Sequence, residues 1–395
     1  MAAKTKNSAR GLSLNLRGFR LPRAVYITIC VLPAVLTALF YVLRMSTGVM
    51  DLAVSSISAP VRGFLGMLSS VYPFSLAEVF CTAAVVWLFY YIFKTASLTS
   101  RRSGKLKIIS KRLLTVVVVA LYVWSLYCWL WNIGYFATGF AEKNGLYGEG
   151  ITTAELAAVT RLFADNANEL APLVERDENG RFIEDHRRIL DASAEIYENL
   201  SEQLPSLDGR VYRPKSMMFS WLMSRMGYTG IYFALTGEAN ININAPGFLM
   251  PATIAHELAH QLGVFAEDEA NLVAVLACVT SENTVYEYAG YLMGLMRLLS
   301  ALTIEDPEAG LEISESLSDL VVGDWQHNFD YWQSQKTVNT GVGVIDTALT
   351  AVTETVSDAV DSVYDSFLRS NDQELGIKSY GAYLNLLVEY FLYVI

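Results

Sequence analysis

Three long apolar runs dominate the first third of the chain and then stop. Residues 24–43, 76–93 and 113–131 each come close to the roughly 20 apolar residues that a helix needs to cross a bilayer, and almost all the charge lies outside them. The pattern predicts three membrane-spanning helices. A cleavable leader does not account for the first run, which is long for that role and shows no small-residue cleavage pattern before Arg44. Between the first and second runs, residues 45–74 are mixed. Asp51 and Arg62 are the only charges from 49 to 68. An amphipathic segment along the membrane surface is one reading. A packed loop between spans is the reading favoured here.

After residue 133 the periodicity turns helical. Thr152-Thr153-Ala154-Glu155 reads as a capping box, with helical spacing to about 174 and a loop at 175–181. Further helices are predicted at 185–204, 216–226, 251–262, 267–279, 284–302, 307–320, 324–333, 345–368 and 380–393. Residues 230–235 and 239–244 read as two short strands around Thr236-Gly237. The second alternates apolar residues with Asn240, Asn242 and Asn244, as an edge strand able to pair with an extended peptide would. The expected fold is mainly α (α+β): a basic N-terminus (1–23), a membrane domain (24–133) and a mostly helical domain with a small sheet (134–395).

Charge sharpens this division. Up to Phe136 the chain carries 15 Lys/Arg and 2 Asp/Glu; the remainder carries 14 and 38. The basic N-terminus and the loop holding Arg101, Arg102, Lys105, Lys107, Lys111 and Arg112 mark the cytoplasmic side. Three spans then place everything beyond about Asn132 outside, with Trp124, Trp129, Trp131 and Tyr135 as an interfacial belt. The acidic part argues against nucleic acid as a partner. The 53% hydrophobic fraction agrees with a lipid bilayer as the first partner. Four cysteines spell out neither a disulfide framework nor a metal site.

One stretch carries chemistry. Thr253-Ile254-Ala255-His256-Glu257-Leu258-Ala259-His260 contains H-E-x-x-H. Residues four apart share a helix face, so His256 and His260 can offer two imidazoles to one zinc ion, with Glu257 placed as general base. With four histidines in the chain, the motif should arise by chance in roughly a few chains per thousand. Pro251 and Gly263 suit the two ends of this helix. Neither His186 nor His327 has ligand spacing, and both read as surface residues. A catalytic zinc needs a third protein ligand. Glu267 and Glu269 both follow the motif, and spacing alone does not choose. Helical faces favour Glu267, which shares its side with Ala270, Asn271, Ala274 and Cys278, whereas Glu269 points along Leu272, Val273 and Leu276.

Glu267-Asp268-Glu269-Ala270-Asn271 after H-E-x-x-H resembles the E-x-x-A-D/N of gluzincin metallopeptidases. That resemblance implies Glu267 as zinc ligand and Asn271 as support for a ligating His. Residues 232–242, the H-E-L-A-H motif, Glu267 to Asn271, Lys378-Ser379-Tyr380-Gly381 and Tyr72-Pro73-Phe74-Ser75-Leu76 together resemble the bacterial membrane proteins grouped as domain of unknown function 3810. Tyr380 is a candidate hydrogen-bond donor to a tetrahedral oxyanion. The expectation is a membrane-anchored zinc metalloendopeptidase with His256, His260 and Glu267 on Zn2+, Glu257 and Tyr380 catalytic, and a peptide or protein substrate. The alternative is a non-catalytic, zinc-stabilised membrane scaffold. An intramembrane protease is disfavoured, because polar residues flank the motif too closely for a span.

Overall fold

The computed structural model describes residues 15–16, 19–20, 22–101, 103–148, 150–335 and 380–393. The helix expected at 345–368 lies outside them. Among the described residues, four helices are long and apolar enough to cross a membrane, at Ala24–Leu43, Thr47–Ser70, Leu76–Arg101 and Lys105–Leu130. Three of them cover the expected spans; the other, Thr47–Ser70, falls where a packed loop was expected. The first, third and fourth are α1 (Arg23–Leu43), α4 (Leu76–Arg101) and α5 (Lys105–Leu130).

The difference lies in residues 45–74, which are not a loop. They form α2 (Thr47–Ala53), one π-helical turn (Val54–Ser58) and α3 (Ala59–Ser70). Scattered Gly and Ser conceal a continuous helix whose polar side chains bond to the rest of the protein. The Asp51 carboxylate accepts from the amide and hydroxyl of Thr138, and Ser58 Oγ donates to the Leu130 carbonyl at the end of α5. Gly66 lets α3 approach the backbone of Gly237, where a Cβ on Gly237 would fall 2.5 Å from the Gly66 amide nitrogen.

The remainder is helical around one small sheet. α7 (Thr153–Leu170) begins at the expected capping box, with Thr152 and Glu155 bonding reciprocally. α13 (Thr284–Glu305) packs against α7, α12 (Glu267–Val279) and α14 (Pro307–Glu315). Asn168 ends α14 early: its side chain bonds the Ser316 carbonyl and the Ser318 amide, and α15 (Asp319–Gln335) starts just beyond. The helix expected over 185–204 is two, α8 (His186–Ala192) and α9 (Glu198–Gln203). The break turns Ile196 and Tyr197 into the core, where the Tyr197 hydroxyl donates to the Ala255 carbonyl. The chain closes with α16 (Tyr380–Tyr393).

The sheet corrects a second expectation. Apart from an antiparallel pair near the N-terminus, β1 (Asn15–Leu16) and β2 (Phe19–Arg20), the described strands form one sheet. β3 (Lys215–Ser216) comes from a stretch expected to open a helix; the helix itself, α10, covers only Ser220–Arg225. β3 pairs in parallel with β5 (Glu238–Ile241), and β4 (Gly230–Phe233) pairs antiparallel on its other side. β5 is therefore central and wholly buried, not an edge. Asn240 and Asn242 satisfy backbone and side chains inside the fold: Asn242 Nδ2 donates to Ser224 Oγ and the Tyr228 carbonyl. The outer strand beside the motif helix is β4.

Candidate metal site at the membrane end of the fold

α11 (Met250–Leu262) holds the motif. Pro251 stands in its first turn, and Gly263, with φ +99°, closes it in the left-handed conformation that glycine adopts without a Cβ penalty. Ile254, Ala255, Leu258 and Ala259 bury one side completely. His256 and His260 share the other, their ring centroids 4.6 Å apart. A tight turn, with the Val264 amide on the Ala259 carbonyl, sends the chain back into α12, whose first residue is Glu267.

Glu267 reaches both imidazoles. Oε2 lies 3.2 Å from His256 Nε2 and Oε1 lies 3.6 Å from His260 Nε2. The three donor atoms fall within 4.8 Å of one another. Zinc bound at about 2.0–2.2 Å in tetrahedral geometry would hold its donors roughly 3.3–3.6 Å apart, so the set fits such an ion. His260 Nδ1 lies 2.7 Å from the Val264 carbonyl. That acceptor fixes the tautomer with the proton on Nδ1 and leaves Nε2 free to ligate. Burial opposes ionisation of Glu267, but its bonds and charge interactions with His260 and His256 outweigh it and hold the carboxyl well below the usual range.

Glu269 is elsewhere. Its oxygens accept the amides of Phe140 and Ala141, each at 2.9 Å, and so cap the short helix α6 (Phe140–Lys143). Glu257 is 5% exposed and points toward β4. Burial pushes its carboxyl up to about 8, against the opposing influence of His256. A Cβ on Gly230 would sit 2.6 Å from Glu257 Oε1, so only glycine leaves the carboxylate room there. Glu257 Oε2 and His256 Nδ1 are buried without hydrogen-bond partners. Asn271 therefore does not bond His256 Nδ1, the ring nitrogen left over for a supporting partner.

Other expected residues fall as follows. Tyr380 opens α16, but its side chain lies outside the described residues. His327 is exposed; His186 is half-buried at the surface, and burial lowers its pKa. A pocket of about 320 Å³ adjoins α11 at Met250, Ala252 and Thr253 and α12 at Asn271, and Tyr383, whose buried hydroxyl has no partner, lines it.

Two contributors come from the membrane part and were not foreseen. Trp131, expected in an interfacial belt, is buried edge-on to His260 with centroids 5.2 Å apart, and it also contacts Tyr232 and Phe265. Arg62 of α3 is 3% exposed. It donates from Nη1 to the His260 carbonyl at 3.1 Å and from Nε to Ser58 Oγ, and its guanidinium lies 4.9 Å from the Phe265 ring centroid. Among the described residues no carboxylate pairs with it. The negative end of the α11 dipole is its counter-charge. A lone Arg in an apolar stretch was the available signal.

These features define a class: a mostly helical, membrane-associated protein with a partly buried two-histidine, one-glutamate cluster at the end of its apolar helices. The family model described as "Protein of unknown function (DUF3810)" matches residues 55–388, and the chain belongs to that family. No curated protein and no solved structure matches it.

Proposed function

We propose that this protein is a membrane-anchored, zinc-dependent metallopeptidase of gluzincin type. The observation that carries the reading is the convergence of His256, His260 and Glu267 beside a buried Glu257 carboxylate. A buried carboxylate oxygen without a partner costs stability. A scaffold that used metal only for rigidity would have no use for it, whereas hydrolysis needs a base at that position. Zinc held by the three side chains supplies a Lewis acid for a carbonyl and lowers the pKa of a nearby water. Glu257 takes a proton from the attacking water and returns it to the leaving amine. Gly230 keeps the space in which that carboxylate works, and the Val264 carbonyl keeps His260 in its ligating tautomer.

The basic N-terminus and the basic segment 101–112, where α4 ends and α5 begins, fit the cytoplasm, with α1, α4 and α5 crossing. α2 and α3 then lie along the outer surface. Their partners, Thr138, Leu130, His260 and Gly237, all sit at or beyond the outer end of α5. The acidic domain is extracytoplasmic.

Digestion of an unbiased peptide mixture by the full-length protein tests the activity. Wild type should cleave, and chelation or Glu257→Ala should abolish cleavage. Equal turnover by Glu257→Ala would contradict the assigned base, and no turnover by zinc-loaded wild type would favour the scaffold.

A further inference from the structure

Resting on the peptidase reading above, we infer that the substrate is a membrane-anchored polypeptide, cut in the segment just outside the bilayer. The first ground is how closely the cluster is tied to the apolar helices. α5 ends at Leu130, and the next residue, Trp131, lies against His260. α3 reaches the same histidine through Arg62. The N-terminus of α4 is locked to the sheet, with the Leu76 and Ala77 amides on the Glu238 carboxylate.

The second ground is an exposed apolar rim on the domain beside these helix ends. Val71 (77% exposed), Tyr72 and Phe74 precede α4, while Met218 (69%), Trp221 (57%) and Leu222 lie at and around the start of α10. The two groups are joined. Glu78 of α4 accepts the amides of Met218 and Phe219, and Lys215 Nζ donates to the Tyr72 carbonyl. The rim continues into the outward apolar side of α4 at Val79 and Phe80, both exposed. A surface of this kind, continuous with membrane helices and carrying Trp and Tyr, sits in the lipid interface. The bilayer surface therefore comes up to the domain near the cluster.

The third ground is path length. β4 leads from the turn packed on α3, at Gly237 against Gly66, to Gly230 against Glu257. Four residues of strand span roughly 13 Å. A polypeptide leaving the bilayer beside this turn reaches the carboxylate within about four to eight residues. A soluble peptide gains nothing from this placement. An anchored one is concentrated at the site, and tethering of that kind typically raises the effective concentration by orders of magnitude.

The experiment uses zinc-loaded full-length protein in liposomes. Its probe is a randomised peptide mixture of about twelve residues, long enough to span the path, offered free or attached to a lipid. The anchored form should be cleaved at least about tenfold faster, with cuts clustered within about eight residues of the anchor. Equal rates, or cuts spread along the peptide, would overturn the inference. A second readout does not need activity. A fluorophore on Ile231→Cys, with the exposed Cys81 and half-buried Cys30 replaced by Ser, should be quenched by headgroup-spin-labelled lipid far more than one on Glu178→Cys. Equal quenching overturns the placement whatever the peptides show. Quenching as expected with no cleavage of either form supports the placement at the bilayer and counts against the peptidase reading alone.

Discussion

Glu257 and Gly230 show how much of the site rests on single atoms. Glu257 was legible in the sequence because a five-residue motif lies on two turns of one helix. Gly230 was not, because its importance comes from strand β4 meeting α11 across 27 positions of chain. A Cβ at 230 would fall 2.6 Å from Oε1 and 2.8 Å from Cγ of Glu257. Gly230→Ala should therefore displace the Glu257 carboxylate, proposed above as the base, while leaving His256, His260 and Glu267 alone. Displacing a catalytic group by about 1 Å costs on the order of 100-fold in rate. Kinetics and metal content on one preparation check this: turnover should fall by about that factor with zinc unchanged. Unchanged turnover would remove Gly230 from the account. Arg62 and Trp131 were hidden for the same reason. They lie 198 and 129 positions from His260; a lone Arg in an apolar stretch marks Arg62 as unusual, but no local pattern names a partner at that range.

Elements were legible where local chemistry decides them. The capping box at Thr152 forms as read, and α11 ends at Gly263 as its glycine requires. Elements failed where distant partners decide. The central place of β5 depends on β3, two residues too short to signal a strand. The helix at 47–70 depends on Asp51, Ser58 and Arg62 finding Thr138, Leu130 and His260. The α7 start carries a pH prediction. The Tyr393 hydroxyl first, then the Thr152 amide and hydroxyl, hold the Glu155 carboxyl below its ordinary 4.5. A depressed carboxyl contributes stability that is present above its unfolded value and lost as pH falls through the folded one. Thermal melts on the acid side should show this contribution fading below about pH 4.5. Glu155→Gln should flatten that dependence, and an unchanged acid limb in this variant would contradict it.

At the scale of the whole molecule, the boundary read at residue 133 divides composition but not the structure. Leu130, Trp131, Tyr232, Ala234 and Phe265 form one buried cluster across it. Arg62 crosses it again from α3. Composition could not reveal this, because helices that meet lipid along their length also meet protein at their outer ends. The cluster is built jointly by both parts, so its tests belong on the full-length protein. The most direct is the zinc content of purified full-length protein and four variants. About one zinc per chain is expected for wild type. His256→Ala, His260→Ala and Glu267→Gln should lose it, while Glu269→Gln, whose carboxylate caps α6, should keep it. Wild type without zinc, or zinc retained when Glu267 is replaced and lost when Glu269 is, would contradict the account.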